Sequence, residues 1–296
     1  MMKKLFISLL LTSVLTPVWG QKIKSVEGEF VYYAPENVSV VEAKRFALKQ
    51  AQLKAIAEEF GTIVSQTNLT RIEGNNEQST TRFSSFGSSD VKGEWIETKG
   101  KPEYTVSYEE GMLIVTCKVE GKAREIVSSQ VDILAKVLRN GTEDRFESEQ
   151  FKSGDDLFLS FQSPVNGYLA VYLVDDDEQV QCLLPYRDQK DGIYKVEANR
   201  RYVLFSEKDD PRGNVDEYTL EANRSLEHNQ VYVIFSPNQF VKAVDKASQK
   251  VSDSKQIAGY PRELSFEDFH KWLAKCRRYD KEMCLKKVLL TVRHTK

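Results

Sequence analysis

Residues 151–185 constrain the fold more than any other part of the chain. Apolar side chains alternate along 157–161 and again along 180–184, as in strands that bury one face. Residues 168–174 between them form an unbroken apolar run rich in aromatic and β-branched side chains, which is typical of a central strand. Turn-forming residues separate the three segments. We therefore predict a three-stranded meander, which needs a second layer to cover its apolar face.

A spaced motif runs through the same stretch: Phe151, Gly154-Asp155, Leu157 and Phe161, then Gly167-Tyr168-Leu169, Val171-Tyr172 and Val174-Asp175, then Leu183-Leu184-Pro185. This pattern resembles a domain of unknown function found in exported bacterial proteins, where it often follows peptidase or other envelope-associated modules. The resemblance covers roughly the second half of the chain. It implies an architecture and a cellular compartment, and it brings no known catalytic residues.

Residues 1–20 have the three parts of a secretory signal peptide. Two lysines near the start precede a short apolar run over 5–15, and Val18 and Gly20 stand three and one positions before the predicted cleavage point. The run is too short for a membrane anchor, the alternative, because a spanning helix needs ~20 apolar residues. We expect an exported protein, periplasmic or associated with the cell envelope, with no transmembrane span after cleavage.

A long helix dominates the first half of the mature chain. Ser39 is its predicted N-cap, with Glu42 three residues later to complete a capping box, and Gly61 after Phe60 is its predicted stop. An alanine recurs at every fourth position and should let the helix approach a sheet closely; the stripe is Ala43, Ala47, Ala51 and Ala55. The alternative use of such a stripe is contact with a partner helix.

Four strands are predicted around this helix, one before it at 26–33 and three after it at 91–98, 104–108 and 112–121. Residues 21–128 are therefore expected to form an α+β domain with a long helix on an antiparallel sheet.

Three features of this half carry a second resemblance: the alanine-repeat helix that ends at Phe60-Gly61, the strand entry Val91-Lys92-Gly93 and the strand over 113–119. Together they resemble the N-terminal domain of flagellar assembly protein T and related small outer-membrane lipoproteins. The resemblance implies an assembly or envelope-binding module.

Residues 129–296 carry many short apolar segments separated by turns, including a buried central strand at 231–236. They predict a mainly-β, sandwich-like domain. A helix capped by Ser265 should close the open side of the sheet before a last strand at 288–292; its apolar face comprises Phe266, Phe269, Trp272 and Leu273.

The four cysteines fall into two pairs by sequence context. Cys117 and Cys182 alternate with apolar residues and are expected in cores. Cys276 and Cys284 lie close together between the last helix and the last strand. In an oxidising compartment they could form a disulfide, and the alternative is two unpaired thiols.

Residues that could act in catalysis or bind a metal are scattered along the sequence rather than clustered. None of the three histidines has a neighbour at metal-ligand spacing, and His270 is predicted to lie at the surface. The acidic run Asp175, Asp176 and Asp177 is expected to be a solvated turn, with a weak calcium site as the alternative. We predict no catalytic, metal or cofactor-binding residues.

Phe83 and Phe86 stand in a polar stretch over 75–90 that is rich in serine and threonine. Exposed, they would be a contact point for a partner; the alternative is that they fold back onto the domain.

The near balance of 42 basic and 44 acidic residues argues against nucleic-acid binding, which depends on a basic surface. The leading hypothesis is a non-enzymatic envelope protein that binds another protein or serves in assembly. One alternative is an envelope hydrolase whose fold brings two carboxylates together, and another is an accessory or regulatory module of a separately encoded peptidase.

Overall fold

A computed structural model describes residues 23–34, 38–63, 87, 90–109, 111–126, 129, 131–187, 189, 194–210, 214–240, 243 and 262–294. The predicted signal peptide at 1–20 and the aromatic pair Phe83 and Phe86 lie outside these ranges.

The described residues of the first part of the chain form a helix on a three-stranded antiparallel sheet. Its strands β1 (Ile23–Ala34), β2 (Gly93–Glu109) and β3 (Met112–Glu125) are ordered β1-β3-β2, and helix α1 (Val40–Phe60) covers one face. The predicted alanine stripe is confirmed, because all four of its residues are buried against the sheet. Gly28 of β1 allows the closest approach: a Cβ atom there would stand 2.1 Å from the Ala51 carbonyl oxygen.

The capping box predicted for α1 is present. The Glu42 backbone N–H donates to Ser39 Oγ over 3.2 Å, and the Ser39 backbone N–H donates to Glu42 Oε2 over 3.1 Å. At the other end Gly61 has φ +84°, a region that glycine enters without steric cost, and the helix ends there as predicted.

Replacing Ser39 with Ala should lower the free energy of unfolding by about 1 kcal/mol, because the Glu42 backbone N–H loses its side-chain acceptor. Urea unfolding followed by circular dichroism measures the change. Ser39→Asp, which keeps an acceptor at the N-cap, is the matched control and should stay close to the native value; equal losses in both variants would contradict the capping role.

Among the described residues, this sheet has one strand fewer than the sequence pattern predicts. Segments 91–98 and 104–108 are predicted as separate strands, but both belong to the continuous β2 and pair with β3. Gly100 and Pro102 are typical of a turn, and instead they lie within a register irregularity between Lys99 and Glu103. The chain bulges there and continues in the same direction, since both halves of β2 use the same partner strand.

The described residues of the second part form eleven strands and one α-helix: β4 (Leu134–Arg139), β5 (Gln150–Lys152), β6 (Asp155–Gln162), β7 (Gly167–Val174), β8 (Gln179–Leu184), β9 (Tyr194–Val196), β10 (Tyr202–Leu204), β11 (Tyr218–Leu220), β12 (Leu226–Ser236), β13 (Glu263–Ser265), α2 (Phe266–Tyr279) and β14 (Cys284–Arg293). A short 3-10 helix, Asp144–Phe146, follows β4.

These strands form two sheets that pack face to face. In the smaller sheet, β4 pairs with one edge of β6, and both β10 and β11 pair with its other edge. The larger sheet is ordered β13-β8-β7-β12-β14-β5, and β9 also pairs with β7. One apolar cluster fills the space between them, where the Phe161 and Phe235 rings lie 5.8 Å apart.

The predicted meander is wrong at its first turn. Strands β7 and β8 do form a hairpin, but β6 belongs to the smaller sheet and faces β7 across the core. Alternation along β6 identifies its buried face correctly, and it carries no information about which strand lies beside it. Residues 163–166 therefore connect two layers rather than two neighbours.

Helix α2 lies on the outer face of the larger sheet, as predicted for the closing helix. Phe269 packs against Tyr172 and Tyr232, with ring centroids 4.8 and 5.2 Å away. The final strand β14 then inserts between β12 and β5. The predicted fold class is thus confirmed: an α+β part followed by a mainly-β part with a C-terminal helix and a last strand.

In the part of the chain that the structure describes, neither helix is both long and apolar enough to cross a bilayer. The domain boundaries at 21–128 and 129–296 stay a prediction.

Candidate functional site

His270, predicted at the surface, is buried with 2% of its surface exposed. It extends from α2 between Phe266 and Tyr232, whose ring centroids lie 4.2 and 5.6 Å from the imidazole. Gly87 covers another side so closely that a Cβ atom there would come within 2.2 Å of His270 Nδ1. The prediction failed because this cover comes from a segment far away in the sequence.

Beside His270 lies an acidic residue, Asp90, that the sequence patterns did not identify. Asp90 is fully buried and accepts three hydrogen bonds, from the Tyr232 hydroxyl at 2.9 Å, from Lys287 Nζ at 3.1 Å and from the Gly87 backbone N–H at 2.9 Å. The Lys287 side chain is itself only 3% exposed. We call Asp90, Tyr232, His270 and Lys287 the buried polar cluster.

The buried polar cluster joins the two parts of the chain. Asp90 precedes β2 of the first sheet, whereas Tyr232, His270 and Lys287 belong to β12, α2 and β14 of the second part. A second connection runs parallel to it, because Arg277 donates to the Val91 carbonyl oxygen over 3.1 Å. Arg278, the next residue of α2, forms a 2.9 Å ion pair with Glu94 of β2.

Burial and charge shift the pKa values in this cluster. Burial alone would raise the pKa of Asp90, but the charges of Lys287 and His270 and the Gly87 N–H hold that pKa below its usual value. Burial lowers the pKa of His270 to about 4, with Asp90 opposing the shift and Lys287 and Lys49 adding to it. At neutral pH the cluster therefore holds an ionised Asp90 and a neutral His270.

These residue types also occur in catalytic sites, so their exposure decides what they can do here. Asp90, Lys287 and His270 present almost no surface to solvent, and the Asp90 carboxylate is occupied by three donors. This arrangement acts as a buried, hydrogen-bonded ion pair that holds packed elements together.

The cysteines expected in cores, Cys117 and Cys182, are buried as predicted. All four cysteines lie in the described ranges, and no disulfide joins any two of them there. Burial raises the pKa of Cys276 in α2 to about 11 and also raises the pKa of Cys284 at the start of β14. Both thiols are thus protonated at neutral pH, and the disulfide between them stays a prediction.

The acidic run forms the turn between β7 and β8. Asp175 Oδ1 accepts from the backbone N–H groups of Asp177 at 3.0 Å and Gln179 at 2.8 Å, while Arg224 pairs with Asp176 and Asp177. The carboxylates are therefore used in backbone capping and ion pairs. Over the described ranges, no group of three or more His, Cys, Asp or Glu residues is arranged to hold a metal ion.

The edges of the first sheet are a different kind of site. Strands β1 and β2, 12 and 17 residues long, each pair with β3 on one side and with no described strand on the other. The sheets of the second part end in short strands: β5, β10, β11 and β13 have three residues each and β4 has six. Among the described strands, long unpaired backbone is thus concentrated in the first sheet.

Comparison of the chain with protein-family models, curated proteins and solved structures finds no match.

Proposed function

We propose that this chain is an exported cell-envelope protein that binds another protein, and that the edges of its first sheet are the binding site. Export rests on the signal-peptide pattern of residues 1–20, and the envelope assignment rests on the two sequence resemblances. The proposal that these edges form the binding site rests on the length of the unpaired edges of β1 and β2.

An edge strand presents a row of backbone N–H and C=O groups that an extended segment of another protein can pair with. Such pairing supplies affinity through the main chain, and side chains on alternate positions add specificity. Short edge strands offer few such groups and resist addition. The first sheet is therefore the better platform for strand addition.

Three valines of nearly equal exposure allow a matched test. Val31 lies in β1 and Val106 in β2, each 39% exposed, and Val165 lies between β6 and β7 at 37% exposure. A benzophenone amino acid placed at each position of the full chain in the producing cells should capture a partner at the first-sheet positions. The yield at the better of these two positions should exceed the yield at Val165 about tenfold, a difference that corresponds to 1.4 kcal/mol.

Mass spectrometry of the captured product identifies the partner and the segment that is linked. Capture from Val165 equal to capture from both edge positions, or no capture from either edge, would overturn the proposed binding site. Export is tested separately, because the mature protein should begin at Gln21 and fractionate with the cell envelope or periplasm.

A further inference from the structure

We infer that β1 rather than β2 is the binding edge, and that its partner is an extended segment with a basic residue beside Glu27 and an apolar residue beside Val31. This inference rests on the proposed function, and it specifies the edge and the chemistry of the partner.

The two edges differ in regularity. β1 pairs with β3 without interruption through all 12 of its residues, from Ile23 opposite Arg124 to Ala34 opposite Leu113. β2 has two register irregularities, and one of them contains Pro102, which lacks a backbone N–H. Bulges and prolines are the features that protect an edge from strand addition. β1 has neither, so it is the edge open to a partner.

The side chains of β1 that a partner strand would meet lie on the face opposite α1. Every second residue of β1 points to this face and is exposed to solvent: Ile23, Ser25, Glu27, Glu29, Val31 and Tyr33. The face is acidic in its middle and apolar toward Val31 and Tyr33.

One of these acids has another acid as its cross-strand neighbour. Glu27 stands directly opposite Glu120 of β3, which faces Lys99 of β2 on its other side, and like charges directly opposite each other repel. Glu29 differs, because it forms an ion pair with Lys118 at 3.5 Å. A lysine or arginine on an added strand would stand beside Glu27 and relieve the repulsion.

The spacing within the partner follows from the period of a strand. Val31 is four residues from Glu27 and therefore lies on the same face. The residue opposite Val31 is thus four positions from the one opposite Glu27, whichever direction the added strand runs. We expect a basic residue and an apolar residue separated by three others, in an extended segment of another protein.

The test combines the cross-linker with changes of charge in the full chain. With the benzophenone residue at position 31, Glu27→Lys should reduce capture of the partner about tenfold, and Glu27→Gln should reduce it less. The same change on the other edge, Glu103→Lys in β2, is the matched control and should leave capture unchanged. Changing the identified basic residue of the partner to Glu should restore capture by the Glu27→Lys chain.

The outcomes separate this inference from the proposed function. If capture at position 31 is insensitive to Glu27→Lys, or if only position 106 captures a partner, this inference is wrong while binding at the first sheet stands. The inference is also wrong, while binding at the first sheet stands, if the captured segment has no basic residue four positions from an apolar one. Absence of capture from both edges overturns both proposals.

Discussion

Replacing Asp90 with Asn should lower the free energy of unfolding by about 3–5 kcal/mol, because it leaves the buried Lys287 ammonium without its counter-charge. Asn has nearly the same shape as Asp, so the loss comes from charge rather than from a cavity. The Tyr232 hydroxyl also loses a carboxylate acceptor. Urea unfolding at neutral pH, followed by the fluorescence of the tryptophans and by circular dichroism, measures the effect.

Two controls show whether burial is the reason. Asp144→Asn weakens ion pairs with Lys136 and Arg201 that lie at the solvent-exposed surface, so it should cost much less stability than Asp90→Asn. The double variant Asp90→Leu with Lys287→Met removes both buried charges and should recover much of the stability lost in Asp90→Asn. A loss in Asp90→Asn no larger than that of Asp144→Asn would contradict the role assigned to the buried ion pair.

Local patterns predict those elements whose signals lie within one segment. The capping box at Ser39, the stop at Gly61 and the closing helix α2 depend on residues within a few positions of each other, and all three predictions are confirmed. The central strands β7 and β12 are identifiable for the same reason, since an unbroken apolar run needs no partner to be recognised.

Features that depend on residues far apart in the sequence cannot be predicted from such local patterns. Asp90 lies at the end of a polar stretch that resembles a loop, and its partner Lys287 is 197 residues away in sequence. The surface prediction for His270 is wrong because the sequence of α2 does not show that Gly87 and Asp90 cover this side chain. The signal available in the sequence is indirect: Lys287 stands within a last strand that is otherwise largely apolar, where a charge needs a buried counter-charge.

The buried polar cluster places the start of β2 against the second part of the chain. Arg277 and Arg278 of α2 contact the same region. Strand β1 lies at the other end of the sheet order, beyond β3. These arginine contacts therefore lie on the β2 side of the sheet, whereas β1 approaches the second part at Tyr32, whose pKa is raised by burial and then by the charge of Glu178.

Acidification should destabilise the protein because His270 is buried in its neutral form. Burial lowers the pKa of His270 from 6.5 to about 4, so between these values the unfolded chain binds a proton that the folded chain does not. The contribution to stability is complete above about pH 6.5 and is lost as the pH falls to about 4. From this shift we expect a loss of about 3 kcal/mol at pH 4 relative to pH 7.

The charged groups that face His270 also affect its lowered pKa. Asp90 favours the protonated imidazole, and Lys287 of β14 and Lys49 of α1 disfavour it, with the neutral Tyr232 packed alongside. His270→Gln removes the titrating group, so its unfolding free energy should fall less steeply between pH 6.5 and 4 than that of the native protein. Equal slopes for the two proteins over this range would show that His270 is not the group that titrates.

The double variant Asp90→Leu with Lys287→Met tests the physical cause of the same acid response. It removes one charge that favours protonation of His270 and one that opposes it, and it leaves the imidazole buried. Because burial is the largest cause of the lowered pKa, the unfolding free energy of this variant should still fall between pH 6.5 and 4 at least as steeply as that of the native protein. If the profile stays steep, burial between the two parts of the chain sets the acid response, whereas the charge pair sets the stability at neutral pH. A flattened profile would instead assign the lowered pKa of His270 to the charges.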